Sequence, residues 1–200
     1  MLTLKQLRKD MQFNQELVGL IDVLKGIASA HFRHLQAKRE YFIRFSRCLA
    51  SFFKMVNLIK SKHLFLMPRP SLPSGIVMIT SDEGFLGGLN SQVINTALSQ
   101  RRTNDSLIIL GERGARLLED QKESFLYFPG ITEDIEYTQA QGLRDYLVHQ
   151  YLNKRLGRVI MVYPKFVSFA LQEVKSEQLL PYIREQDLGT PLQLKPRVSP

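Results

Sequence analysis

Between Leu4 and about residue 60 the chain contains no proline, and its only glycines are Gly19 and Gly26. Proline removes a helical hydrogen bond and collides with the preceding turn, so its absence leaves the whole stretch free to be helical. Leu35, Phe42, Leu49 and Val56 recur every seven residues, and Phe45, Phe52 and Ile59 form the companion row three residues further on. That repeat is the seam of a coiled coil. A less regular row lies upstream, through Leu7, Met11, Val18, Ile21, Leu24 and Ala28, with Asn14 and Lys25 interrupting it. Residues 1–66 are therefore expected as one long helix, bending if anywhere near the two glycines. At ~1.5 Å per residue it extends on the order of 80 Å, more than a chain of this size can wrap, so its apolar stripe needs a partner.

The stretch "MPRPSLPSG" carries three prolines and ends the helix, giving a linker over 67–74. The period then changes. "GIVMIT" (75–80), "SLIILG" (106–111), "SFLYF" (124–128) and "RVIMVY" (158–163) are short β-branched or aromatic runs of the kind that form buried parallel strands. Helical segments are expected between them at 90–101, 112–120 and 133–155, and residues 169–182 alternate weakly, as an edge strand would. Alternating strand and helix predicts an α/β fold: a three-layer, Rossmann-like domain over 75–183 with right-handed crossovers. The segment 184–200, with three prolines and a glycine, has no core-forming pattern and reads as a linker or unpacked tail.

At 44% hydrophobic content the chain can build a real core, and no apolar run approaches the roughly 18–20 residues that span a bilayer. The N-terminus lacks the pattern of a secretory leader. Cys48 is the only cysteine, which excludes an intramolecular disulfide, and it is expected to be a small buried hydrophobe. The net charge of +8 favours acidic partners, whether nucleic acid, anionic lipid or protein. Lys38, Arg39, Arg44, Arg47, Lys54, Lys60 and Lys62 decorate the helix, where a solvated face is at least as good a reading as a binding patch.

The loop in "ITSDEGFLGGLN" (79–90) raises the question of a phosphate cradle. Its spacing is G-x-x-G-G, with neither the G-x-x-x-x-G-K-[ST] nor the G-x-G-x-x-G arrangement, and it carries no lysine. Asp82 and Glu83 would repel a phosphate at the following helix N-terminus. The glycines are better explained by a tight turn with positive φ and close helix packing, with Asn90 or Ser91 as helix cap. Other constellations are weak. His31, His34, His63 and His149 lack metal-ligand spacing. Ser81 sits in no nucleophile elbow. Glu133, Asp134 and Glu136 suit the acidic first turn of a helix. No catalytic, cofactor or metal site follows from the residues. An α/β nucleotide-binding protein or enzyme using the turn at 84–90 remains the alternative from another class, and nucleic-acid binding through the basic helix a weaker third.

The turn also resembles the gamma subunit of rotary proton-translocating ATP synthases, in which this segment reads approximately I-T-S-D-R-G-L-C-G-G-L-N. Ile79, Thr80, Ser81, Asp82, Gly84, Gly87, Gly88, Leu89 and Asn90 match in order. A second block, residues 163–181, is similar to a family stretch through Lys165, Phe166, Gln172, Gln178, Leu179, Leu180 and Pro181. Glu83 stands where the family has arginine and Phe85 where it has cysteine. "NQELVGLIDVLKGIASAHF" keeps the helical character of the family's first helix and little of its motif. The family has a second long helix, antiparallel to the first, and residues 182–200 are not expected to form it.

The resemblance implies a non-catalytic, cofactor-free central-stalk subunit, truncated or divergent relative to the family, whose long helix is one strand of the axle; the alternatives are a seam covered by another copy or another protein, and a divergent paralogue with a structural or regulatory role in the same complex. It implies contacts with the alpha and beta subunits of the catalytic ring, the epsilon subunit and the membrane ring of c subunits, with no nucleic acid and no insertion into the bilayer. Asp82, Gly84, Gly87, Gly88 and Asn90 become a structural turn and subunit contact. The location implied, for a bacterial source, is the cytoplasmic face of the inner membrane. Lacking the second helix, this chain alone is expected not to restore proton-driven ATP synthesis to a complex without its gamma subunit.

Overall fold

The computed structural model describes residues 4–55, 63–84, 86–131, 137–168 and 171–182. The chain divides into two compact units, 1–60 and 61–200.

The first unit is one helix, α1 (Leu4–Met55), unbroken through Gly19 and Gly26. Each glycine costs a helix about 1 kcal/mol relative to alanine, which 50 other helix-compatible positions outweigh. No described side chain of α1 is buried. Leu35, Phe42, Phe45 and Leu49 are between 40% and 55% exposed, and Leu7, Met11, Val18, Ile21 and Leu24 of the upstream row between 52% and 59%. Phe52, Val56 and Ile59, the remainder of the expected seam, have side chains outside the described set. Cys48 is exposed, against the expectation of burial. It sits on α1, where none of the described side chains is buried, so residue type alone did not decide its placement.

The helix expected through residue 66 does not reach it: residues 56–62 lie outside the described set, His63 is extended, and Leu64–Leu66 form a short 3-10 turn of the second unit, which becomes a three-layer sandwich. Its elements are β1 (Ser74–Ile79), α2 (Leu89–Gln100), β2 (Ser106–Leu110), α3 (Glu112–Asp120), β3 (Phe125–Phe128), α4 (Tyr137–Leu152), β4 (Arg158–Ser168) and β5 (Leu171–Leu180). The sheet order is β3-β2-β1-β4-β5. The first four strands run parallel, with Val77 opposite Ile108 on one side and Met161 on the other. β5 closes the edge antiparallel to β4.

Burial follows the alternation of the strands. Ile76, Met78, Leu107, Ile109, Ile160 and Val162 face α2 and α3, which contribute Val93, Ile94, Ala97, Ala115 and Leu118. Val77, Ile108, Leu110 and Val159 face the other way, onto Leu143, Leu147 and Tyr151 of α4. Strands buried on both faces need continuous apolar runs, which is how they stand in the sequence. β4 runs beyond the expected 158–163 because residues 163–168 pair with β5 after β1 has ended. The weakly alternating segment near the C-terminus is the expected edge strand.

Candidate functional site

The glycine turn joins β1 to α2. Thr80, buried at the end of β1, donates both its N–H and its hydroxyl to the Leu110 carbonyl, at 2.9 and 2.6 Å. This ties the exit of β1 to the exit of β2. Gly111 and Gly114, at the start of α3, lie so close to Thr80 that a Cβ on either would collide with it. Gly111 also has a φ of 98°, a backbone that glycine adopts freely.

Asp82 reaches across to α3. Its Oδ1 accepts the Glu112 N–H at 2.9 Å, while the Ser81 carbonyl accepts the Arg113 N–H at 3.1 Å. The N-cap position of α3 is Gly111, which has no side chain to offer, so a carboxylate from the preceding loop supplies the missing acceptor where the helix dipole favours negative charge. Asp82 is also packed against Gly130, which has no room for a Cβ.

Asn90 does not cap α2, and neither does Ser91. The N-cap is Gly88, with no side-chain hydrogen bond. Asn90 turns back instead: its Oδ1 accepts the Ser81 N–H at 3.2 Å and its Nδ2 donates to Ser81 Oγ at 2.9 Å. Ser81 Oγ in turn donates to the Glu83 carbonyl at 2.7 Å. The three glycines do different jobs. Gly87 alone has a positive φ, 56°. Gly88 turns at φ −83° into α2. Gly84 leaves room for Arg113, whose Nη2 would lie 3.3 Å from a Cβ there.

A shallow open depression of about 530 Å³ lies between the turn and α3, lined among others by Gly84, Gly87, Asn90, Arg113, Arg116 and Asp120. The arginines come from α3, outside the loop, which is why the loop's own composition gave no sign of them. Arg116 pairs with Glu112. No residue of β4 lines the depression, so it is not the crevice between β1 and β4 where the strand order reverses and where sheets of this kind bind nucleotides.

Among the described residues no group of three His, Cys, Asp or Glu side chains comes together to hold a metal. His31 and His34 are exposed on α1, His63 accepts the Phe65 N–H, and His149 pairs with Asn153. Glu133, Asp134, Glu136 and Phe85 lie outside the described residues. A charged cluster that sequence reasoning missed sits on β4 and β5. Tyr163 donates to Glu177 Oε2 at 2.9 Å, and Lys175 also bonds that carboxylate. Burial, then the neighbouring carboxylate, pushes the Tyr163 phenol up to about 12. For Glu177 burial acts upward, but hydrogen bonds from Lys175 and Tyr163 and the charges of Lys175 and Lys165 hold the carboxyl below its ordinary value. This cluster joins two strands that alternation alone cannot pair.

The sequence profile of the family described as ATP synthase matches residues 3–198. An ATP synthase gamma chain from Chlorobaculum tepidum is 26% identical over 92% of this chain and 67% of its own length. Another, from Clostridium novyi, is 33% identical over 56% of this chain and 40% of its own. Among solved structures, the central stalk and c-ring of the Tetrahymena thermophila mitochondrial ATP synthase aligns at TM-score 0.48 and 23% identity, covering 62% of this chain and 57% of that one. The chain thus spans from about two fifths to two thirds of the gamma chains it resembles. With the profile running through both units, the chain belongs to the gamma family of ATP synthases.

Proposed function

We propose that the chain is a central-stalk subunit that transmits rotation between an ion-driven membrane ring and a catalytic ring of alpha and beta subunits, and has no catalytic site of its own. The observation that carries this reading is the 52-residue helix α1 with its apolar heptad row exposed, joined to a self-sufficient α/β body within one family match. A stiff helix paired along such a row carries torque to sites it never touches. Each seam side chain left in water forgoes roughly 1.5–3 kcal/mol of burial, so the row demands a companion helix.

The body, by this proposal, docks on an epsilon subunit and the c-subunit ring, and the turn at Asp82, Gly84, Gly87, Gly88 and Asn90 meets the catalytic ring. Among the described residues no helix is long and apolar enough to cross a membrane, which supports peripheral attachment through those partners. For a bacterial source the complex places the chain at the cytoplasmic face of the inner membrane.

Co-expression with alpha, beta, epsilon and c subunits tests this. The full chain should co-purify with the complex, and Phe42→Asp with Phe45→Asp should abolish its retention while leaving the body folded. No association, or submicromolar nucleotide binding by the isolated chain that Gly87→Val removes, would overturn the rotor reading in favour of a ligand site at the turn.

A further inference from the structure

The apolar face of α1 is built from two rows that keep one phase along the helix. Leu7, Asn14, Ile21, Ala28, Leu35, Phe42 and Leu49 form the first at intervals of seven, and Asp10, Leu17, Leu24, His31, Lys38 and Phe45 the second. Constant phase is what a helix paired along its whole length requires. Charge is spread unevenly over the same length. Between Leu4 and Ala28 four lysines and arginines stand against three acidic residues, and between Arg33 and Lys54 six stand against Glu40 alone. Glu40 is paired with Arg44 of its own helix at 3.7 Å.

Lys38 makes this face selective. It lies in the second row, between Leu35 and Phe42 of the first, and is half-buried on α1 itself. An ammonium drawn into a dry seam is costly unless a carboxylate meets it there, or at the seam's edge, where the long lysine stem can carry its charge.

A second copy of this chain cannot supply that carboxylate. Two copies running in the same direction set Lys38 against Lys38. Two copies in opposite directions set the second row of one against the first row of the other, and the first row holds no acidic residue. The rows flanking the seam hold none either, because Glu16, Asp22 and Glu40 fall on the far side of the helix. Asp10 alone lies in the seam. Sliding two parallel copies until position 10 meets position 38 gives up more than half of the 52-residue helix.

We infer that α1 pairs with a helix from outside residues 1–200 that is apolar opposite Leu7–Ala28 and acidic opposite His31–Arg47, with a carboxylate in reach of Lys38. Acidic residues flanking the partner's seam would also meet His34 and Arg39, which stand beside the two rows, and flanking charges of this kind decide which helices pair. The inference rests on the rotor reading for the existence of a companion helix, and on the charge pattern for its chemistry.

Synthetic helices of about four heptads, with leucine in both seam rows, test this against the full chain. One carries glutamate in its flanking rows, the other lysine. The acidic peptide should bind at least about tenfold more tightly at about 0.1 M salt, by fluorescence anisotropy. Lys38→Glu with Arg39→Glu should reverse the order while leaving the urea transition of the body where it was. Equal affinity for the two peptides, an unreversed order in the double variant, a wild-type chain that dimerises more tightly than it takes the acidic peptide, or duplex DNA that displaces that peptide would each overturn the acidic partner. If the charge preference is missing while Phe42→Asp with Phe45→Asp still abolishes retention in the complex, only the partner's chemistry falls. A chain that prefers the acidic peptide but does not co-purify with the complex would sink the rotor reading and leave that chemistry standing.

Discussion

The two units spend the same kind of side chain in opposite ways. The strands of the body place Ile76, Val77, Met78, Ile108 and Ile109 wholly out of water, whereas α1 leaves Leu35, Phe42 and Phe45 about half exposed. A strand flanked by other strands and covered by α2, α3 and α4 finds its interior within the chain. A single helix has none to find. Charge divides along the same line. Between Leu4 and Met55 there are ten lysines and arginines against four acidic residues, so most of the net charge of +8 sits on the helix. Isolated helices draw little stability from propensity alone and depend on packing of their apolar face. The body packs a core of its own, and on the rotor reading α1 waits for a companion helix.

Truncations in the two cores should show the largest contrast. Ile108→Ala should cost the body about 2–5 kcal/mol, read by urea unfolding through the near-ultraviolet signal of the tyrosines. Phe42→Ala, the removal of a larger side chain, should change that same transition by less than about 0.5 kcal/mol. Equal effects would erase the distinction between the units.

The turn comes next. Gly111→Val combines a positive φ with a collision against the Thr80 carbonyl and should destabilise the body by about 3 kcal/mol. Asn90→Ala removes both bonds to Ser81 at a partly buried site, for about 1 kcal/mol. If Asn90→Ala instead leaves stability untouched but weakens assembly with the catalytic ring, the residue belongs to the interface more than to the turn.

The smallest effects concern pH and fall on the body's edge. Glu177 has a folded pKa below its ordinary 4.5, so its stabilisation is full above that value and disappears as pH falls through the folded pKa. Tyr163 moves the opposite way. Its stabilisation is present below pH 10 and is lost as pH rises towards about 12. Glu177→Gln should flatten the acid limb of stability against pH, and Tyr163→Phe the alkaline limb, each by thermal melts across pH with the slope at neutrality unchanged.

How much of this was legible beforehand depends on distance along the chain. The heptad of Leu35, Phe42 and Leu49 and the β-branched runs of β1 and β2 are local signals: these residues lie on one helix and the two strands stand where the period puts them, whereas the expected helix through 66 gives way to a 3-10 turn at Leu64–Leu66. The glycine loop was legible as a turn, and so was its departure from phosphate-binding patterns. Its bonding was not. Asp82 serves the N-terminus of α3, 30 residues away, and Asn90 holds Ser81 instead of capping its own helix. Arg69 meets Tyr151 across 82 residues. Such pairs follow from strand order and crossover geometry, which no periodicity encodes. Cys48 shows the reverse failure: its residue type favours burial, and none of the described side chains of α1 is buried.

Hydrogen exchange on the dilute, monomeric full chain tests the central claim most directly. If α1 is half of a coiled coil awaiting its companion, amides from Phe32 to Leu49 should exchange within about a hundredfold of the unstructured rate while those of Ile108 and Ile109 remain protected to the global limit. Protection of α1 equal to that of β2, in a chain shown by sedimentation to be monomeric, would contradict it.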